Sequence, residues 1–320
     1  MKRMRLVSLL LAAAMLLAFL PVSASAAVVC GDLDGDGSIS SSDARLALRW
    51  SVKLETEASL AASCKQSGYN FKKAADVDLD GNVTASDARL ILRGSVKLEN
   101  TAAFGMNESQ IYRSGNFYLS GTMNTGKSDM NIDVAETSGS VYFGTELDFE
   151  GAEMLKEGVH ADPVPVGIMK LGEATYLTYP EGKCSLLMDA STGGLELGES
   201  LDLIDSLRLV TDPNATPVQM KTVELNGETV VCNVYKNAEG LQEWHYMNQN
   251  KLVQIECYNA AGALAVQIQV NSFSANVPAA MCSLPADYTQ YSGGLVGMLN
   301  FLNVLLTARG LSINDLNMKN

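Results

Sequence analysis

Residues 31–55 read GDLDGDGSISSSDARLALRWSVKLE, and residues 75–99 read ADVDLDGNVTASDARLILRGSVKLE. Sixteen of the 25 aligned positions are identical, so the chain contains an internal repeat with an offset of 44 residues. The identical positions are mainly carboxylates, one glycine and an apolar pattern of helical period. Each copy is therefore predicted to be an acidic loop followed by one helix, about 42–54 and 86–98.

The spacing of oxygen-bearing side chains in each loop matches that of a calcium ligand set. A 12-residue loop supplies oxygens from positions 1, 3, 5, 7, 9 and 12, with glycine at position 6 for the sharp bend. Four aspartates in twelve residues would also repel one another without a cation. We predict two Ca²⁺ sites, which consist of Asp32, Asp34, Asp36, Ser38, Ser40 and Asp43 in the first loop and Asp76, Asp78, Asp80, Asn82, Thr84 and Asp87 in the second.

A paired EF-hand does not explain this arrangement. Such a hand needs a helix on each side of the loop, and too few residues would precede Asp32 after removal of an export signal. Loop plus one exiting helix, duplicated over residues 30–100, closely resembles the dockerin family. That resemblance implies a small all-α module that calcium folds and that docks on a cohesin domain of a scaffoldin, as in cellulosome-like assemblies.

The dockerin resemblance also implies which residues contact the partner. Loop positions 10 and 11 and the middle of each helix contact cohesin in that family, and basic residues recur along one helical face in both copies. A merely solvated basic face is the alternative interpretation of the same pattern. The implied contact residues are Ser41, Ser42, Leu48, Arg49, Lys53, Ala85, Ser86, Leu92, Arg93 and Lys97.

The first 26 residues have the pattern of an export signal. Three basic residues precede an apolar run at 6–20, and the small residues 24–26 suit signal peptidase. A membrane anchor is less favoured, because the run of about 15 residues is shorter than the ~20 needed to span a bilayer. We therefore expect a secreted protein with no membrane span, and lipidation of Cys30 is the second possibility.

Charge and cysteine content fit an exported chain. Removing Lys2, Arg3 and Arg5 changes the formal charge from −13 to −16, which disfavours nucleic acid as a partner. Six cysteines allow 15 disulfide connectivities, and sequence does not choose among them. A bond between Cys30 and Cys64 is our one expectation, because both flank the calcium loops.

The region after residue 114 alternates apolar and polar residues with period two. This pattern, with turn signals such as Asn226-Gly227 between the runs, predicts an antiparallel meander. Strands are expected near 115–123, 129–136, 140–148, 164–171, 174–179, 184–188, 218–226, 229–236, 241–247, 251–258 and 263–273. Helices are expected near 198–208 and 294–308.

Several phrases in this region resemble a known family. The stretches MKLGEATYLTYPEGKCSLL (169–187), VELNGETVVCNVYKN (223–237), LQEWHYMNQNKLVQIECYN (241–259) and SLPADY (283–288) are similar in order to passages of LolA/LppX-like carrier proteins. The resemblance implies a β half-barrel around a hydrophobic groove. The fold class is thus α+β multidomain, with boundaries 1–26 signal, 27–100 dockerin, 101–114 linker, 115–292 β domain and 293–320 apolar helix and tail.

Catalytic motifs are scarce in the sequence. The two histidines are His160 and His245, and His245 is expected to share a strand face with Glu243 in a structural role. No nucleophile elbow, zinc helix or phosphate loop is found. Five aromatic residues could instead form a sugar- or lipid-stacking platform, although core packing is the commoner role: Tyr118, Tyr176, Tyr179, Trp244 and Tyr246.

The tail GGLVGMLNFLNVLLTAR (293–309) is apolar around most of its helical circumference. We expect it to dock in or beside the groove as a plug, with routine core packing as the alternative. Two functions remain open for the whole chain. The first is a dockerin carrying a non-catalytic ligand-binding or structural β domain, with an apolar or carbohydrate ligand, linked to polysaccharide catabolism. The second is a dockerin carrying a glycoside hydrolase or other polysaccharide-degrading enzyme.

Overall fold

The structure is a computed structural model that describes residues 28–66, 69–126, 129–150, 154–188 and 212–317. By their internal contacts these residues divide into two compact units. The first contains residues up to 77 and residues 83–96, and the second contains residues 78–82 and 97 onward. The expected export signal and the expected helix at 198–208 lie outside the described residues.

Helices α1 (Ser41–Ser51) and α4 (Ala85–Ser95) are the helices of the two repeats, and they pack against each other. Each begins at a hydroxyl N-cap, Ser40 or Thr84, which forms a reciprocal capping box with an aspartate three residues later. Each ends three residues before the expected boundary. The reason is that Lys53 and Lys97 adopt a left-handed backbone with φ of 61°, which terminates a helix.

Two short helices connect the repeats, α2 (Glu57–Ser63) and α3 (Phe71–Ala75). Their apolar side chains form a small core with Leu60, Tyr69 and Phe71 at its centre. Trp50 of the first repeat packs partly against this core, whereas the second repeat has the buried Gly94 at that position. The repeat is therefore asymmetric on the side that faces the connection.

The second unit is built on one large sheet whose order is β12-β6-β5-β4-β3-β2-β1-β11-β10-β9-β8-β7. Neighbouring strands are antiparallel except for the parallel pair β12 and β6. The strands are β1 Phe117–Asn124, β2 Asp129–Thr137, β3 Ser140–Leu147, β4 Val164–Leu171, β5 Ala174–Tyr179, β6 Cys184–Met188, β7 Gln219–Leu225, β8 Glu228–Lys236, β9 Gln242–Asn248, β10 Lys251–Tyr258, β11 Leu264–Ser274 and β12 Thr289–Tyr291.

The expected α+β class is confirmed: helices come first, followed by a mostly antiparallel open sheet with a C-terminal helix. The eleven strands expected from alternation are present, with boundaries that differ by at most two residues. Strand β12 was not expected, because three residues are too few to show a period.

The segment expected to be a linker, 101–114, contains helix α5 (Glu108–Ser114). Three of its seven residues, Ser109, Tyr112 and Arg113, are buried. Tyr112 belongs to the main apolar cluster of the sheet, so α5 is part of the folded unit. The physical reason is the i, i+3, i+4 spacing of these residues, which places them on one helical face.

Two further helices cover the sheet. The C-terminal helix α7 (Leu295–Ala308) confirms the helix expected at 294–308 and packs on β6 and β12. Leu186 packs beneath α7, and Val134 belongs to the apolar cluster beneath α5. The two residues are connected through directly opposite partners on the strands between them, so they lie on the same face of the sheet. Helices α5 and α7 therefore cover one face. The short helix α6 (Ala279–Cys282) packs on β2, β3 and β4 against the opposite face.

The six cysteines all lie within described residues, and each is a free thiol. The expected bond between Cys30 and Cys64 is therefore absent. The Cys30 thiol instead donates to the carbonyl of Lys73 at 3.3 Å, and Cys64 Sγ lies against Gly35. Among the described residues, no helix combines the length and apolarity needed to cross a bilayer.

Candidate calcium loops and partner-binding face

In the first loop, the carboxylates of Asp32, Asp34 and Asp36 lie close together. One carboxylate oxygen from each lies within 4.8 Å of the others. Asp32 is fully buried, and its two oxygens accept the backbone N–H groups of Gly35 at 2.8 Å, Asp36 at 3.2 Å and Gly37 at 2.9 Å. Gly37 has φ of +89°, the left-handed conformation that the bend at position 6 requires.

The crowding of these carboxylates changes their acidity. Burial raises the pKa of Asp34, and the negative charges of Asp43 and Asp36 raise it further. Asp36 behaves in the opposite way, because a hydrogen bond from the Lys65 ammonium lowers its pKa. A cation is therefore favoured at the centre of the loop, where the charges converge.

Position 12 of the first loop ties the loop to the helix. The buried carboxylate of Asp43 accepts the N–H of Leu33 at 2.7 Å and of Asp34 at 3.1 Å through Oδ1. Its Oδ2 accepts the N–H and the hydroxyl of Ser40, at 2.9 and 2.8 Å. The residues predicted at positions 9 and 12 are thus in contact, and Asp43 is both a candidate ligand and the partner of Ser40 in the capping box of α1.

The second loop repeats this geometry. Oxygens of Asp76, Asp78 and Asp80 also lie within 4.8 Å of one another. The buried Asp87 accepts the N–H of Val77 at 2.9 Å and the N–H of Thr84 at 2.8 Å. At position 7 the backbone N–H of Asn82 bonds Asp80, as that of Ser38 bonds Asp36. Both donor sets consist of oxygens, which fits a hard divalent cation such as Ca²⁺.

A shallow groove of about 380 Å³ runs between α1 and α4. It is lined by the same four positions of each repeat: Ser41, Ala44, Arg45 and Leu48 in α1, and Ala85, Ala88, Arg89 and Leu92 in α4. Leu48 and Leu92 are 46% and 47% exposed, which is high for leucine. The groove is therefore a nearly symmetric, largely apolar surface whose lining includes one arginine from each helix.

All ten residues predicted to contact a partner are exposed. Four of them, Ser41, Leu48, Ala85 and Leu92, line the groove. Arg49 forms an ion pair with Glu55, with 2.7 Å between Nε and Oε1. The groove is also lined by four residues outside the predicted set, Ala44, Arg45, Ala88 and Arg89, which recur 44 residues apart in the sequence.

A second polar constellation lies beneath α5 in the sheet unit. The ring of His245 bonds Ser109 through Nδ1 and Glu243 through Nε2, the latter at 2.7 Å, and all three side chains are fully buried. The guanidinium of Arg113 lies 4.1 Å from the centre of the Tyr235 ring and donates to the carbonyls of Asp212 and Ala215. Because a nucleophile needs access to substrate, this burial favours a structural role.

The five aromatic residues do not form one platform. Tyr176 and Tyr179 are three residues apart in β5, so they project from opposite faces of the sheet. Tyr118 and Tyr176 pack with the α6 cluster, while Tyr179 is buried in the cluster beneath α7. Trp244 instead packs against Tyr258, with ring centres 4.6 Å apart and ring planes inclined by 40°.

Together, the duplicated acidic loops, each followed by a single capped helix, define a repeated loop–helix module with two candidate cation sites. Comparison with family models agrees: residues 30–93 match the dockerin type I domain. The chain therefore carries a dockerin type I domain at its N-terminal end.

The sheet unit has structural neighbours among solved proteins. One is an uncharacterized conserved protein from Thermus thermophilus, with 7% identity and a TM-score of 0.31, covering 58% of this chain and 95% of that one. MucB has 12% identity and a TM-score of 0.30, covering 56% of this chain and 60% of that one. A LolA superfamily protein from Nitrosomonas europaea has 6% identity and a TM-score of 0.24, covering 56% and 97%. Matches at this level transfer neither a ligand nor an activity, and no curated protein matches the chain.

Proposed function

We propose that the N-terminal domain is a calcium-dependent plug for the cohesin domain of a scaffoldin. The observation that carries this proposal is the groove between α1 and α4, because two leucines are left about half exposed at equivalent positions. An apolar patch whose lining includes arginines has the composition of a protein interface. Bound calcium stabilises the folded domain, because it neutralises the carboxylates of the two loops that precede α1 and α4.

The test is binding of the full chain to a panel of immobilised cohesins, in calcium and in EGTA. Replacing Leu48 and Leu92 together by Asp should weaken binding about 100-fold or more, since each change places a charge in the contact. The matched control is Val218→Asp, which alters an apolar side chain of the sheet unit that is 65% exposed. Equal binding by the double variant and the control would contradict the proposal.

For the sheet unit we infer a non-catalytic cargo that binds an apolar or carbohydrate ligand or serves structurally, in a secreted complex that takes part in polysaccharide breakdown. Its support is the extensive apolar face beneath α5 and α7 and the complete burial of the Ser109, His245 and Glu243 cluster. Turnover of a polysaccharide that one carboxylate substitution abolishes would instead establish the hydrolase alternative.

We also propose that α7 is a removable plug over this apolar face. Phe301, Leu305 and Leu306 are buried against the sheet, whereas Leu295 and Val296 are 65% and 72% exposed. Deleting residues 293–320 should increase the binding of a hydrophobic dye or a fatty acid. A folded truncated protein that binds no more of either would contradict the idea.

Export is the remaining part of the proposal. Mass spectrometry of the mature protein should find an N-terminus at residue 27. An N-terminus at a lipidated Cys30 would establish the lipoprotein alternative.

A further inference from the structure

The segment Cys64–Gln66, here called the strap, lies across the tip of the first loop. The backbone N–H of Lys65 donates to the carbonyl of Asp34 at 2.9 Å, and the side-chain amide of Gln66 donates to the carbonyl of Gly35 at 2.9 Å. The strap thus bonds two successive residues of the loop between the candidate ligands at positions 1 and 5.

The strap also places the ammonium group of Lys65 next to a candidate calcium ligand. Lys65 Nζ lies 3.0 Å from Oδ2 of Asp36 at position 5. The pKa of Lys65 is raised by its hydrogen bond to Asp36, and the charges of Asp34, Asp36 and Asp32 raise it as well. The ammonium is therefore a counter-ion for Asp36, which is one of the three clustered carboxylates of this loop.

The strap packs closely against Gly35, which is position 4 of the first loop. A Cβ on Gly35 would lie 2.8 Å from Cys64 Sγ and 3.3 Å from Gln66 Cγ, so only glycine fits beneath the strap. The second loop has Leu79 at this position with a similar φ, +57° against +68°. The strap does not repeat: 44 residues after Lys65 the chain has Ser109, which lies in α5.

We propose that Lys65 is a built-in competitor for calcium in the first loop, an inference that rests on the calcium binding proposed above. It stabilises the loop when no metal is bound and opposes the metal when it binds. The two loops, alike in ligands, would then load at different calcium concentrations. The domain would respond to calcium over a wider range than two equal sites allow.

The expected size follows from electrostatics. A unit charge several ångström from a divalent ion, acting through water and screened by salt, changes affinity by about two- to tenfold. Lys65→Gln should therefore strengthen calcium binding by the first loop by about this factor. The same change should lower the melting temperature in EGTA and leave it unchanged in saturating calcium, where the ion replaces the ammonium.

The repeat supplies the controls. Calcium titration calorimetry on the full chain carrying Asp78→Ala reports the first loop, and on the chain carrying Asp34→Ala it reports the second. Lys65→Gln is expected to act only in the first background, and Lys65→Arg, which keeps the charge, should resemble the unsubstituted protein.

An unchanged or weaker affinity for Lys65→Gln in the first background would overturn this inference alone. So would an equal loss of melting temperature with and without calcium, because the pair would then persist in the loaded loop. Absence of calcium binding in every variant would overturn the calcium proposal and this inference together.

Discussion

Asp43 should stabilise the domain even when calcium is absent. Its carboxylate accepts four hydrogen bonds at 2.7 to 3.1 Å, from Leu33, Asp34 and twice from Ser40. Asp43→Ala would leave the buried N–H of Leu33 unpaired and open the capping box of α1. An unpaired buried donor costs about 1–3 kcal/mol and a lost cap about 1 kcal/mol, so the free energy of unfolding should fall by about 3 kcal/mol.

Charge repulsion within the loop opposes this loss of stability, but its effect is smaller. Asp43 repels Asp34, whose pKa it helps to raise, so removing the charge relieves some strain in the metal-free loop. Asp43→Asn separates the two contributions. Its carbonyl can still accept from Leu33, whereas its amide meets the donors of Ser40, so we expect an intermediate loss of about 1–2 kcal/mol.

Urea unfolding in EGTA measures this effect. The chain has two tryptophans, so a Trp244→Phe background leaves Trp50 as the fluorescent reporter of the dockerin domain. Wild type, Asp43→Asn and Asp43→Ala should have successively lower midpoints. If all three unfold together in EGTA and differ only in calcium, Asp43 is a metal ligand alone and the reasoning is wrong.

Three further predictions concern both units. Gly35→Ala should destabilise the domain by about 1–3 kcal/mol in EGTA, because alanine is strained at φ of +68° and meets Cys64; an unchanged urea midpoint would contradict this. Phe301→Ala should cost the sheet unit about 3–5 kcal/mol, measured by thermal unfolding, since the ring is 2% exposed beneath α7; a loss below 1 kcal/mol would show that α7 is loosely packed. Burial raises the pKa of Tyr142 to about 12, so its contribution is complete below pH 10 and is lost as the pH rises from 10 through 12. Tyr142→Phe should therefore flatten the alkaline part of the stability profile, and an identical profile would refute the assignment.

The features that could be predicted from sequence are those with a short period. The alternation of apolar and polar residues predicted the strands between Phe117 and Ser274, because one face of each strand is more buried than the other. The repeat gave the loops, because ligand spacing is local to twelve residues.

The missed features depend on contacts between distant residues. Ser109 is buried between α5 and the sheet, where its hydroxyl shares a hydrogen bond with Nδ1 of His245, 136 residues later. Lys65 reaches Asp36 across 29 residues and belongs to no repeat. The parallel pairing of β12 with β6 likewise joins Thr289 to Cys184, and neither sequence alone indicates the other. Such pairings follow from the completed fold rather than from local preference.

The strand order has a consequence for synthesis on the ribosome. Strands β1 to β6 are made in succession, yet the neighbour of β6 is β12, and the helix that covers it ends at Ala308. The first half of the sheet therefore emerges from the ribosome before the strand that pairs with the outer edge of β6. That edge stays unpaired while β7 to β11 are translated. Translation interrupted between residues 188 and 289 would release a chain with an open strand edge, the kind of surface that recruits chaperones or seeds aggregation.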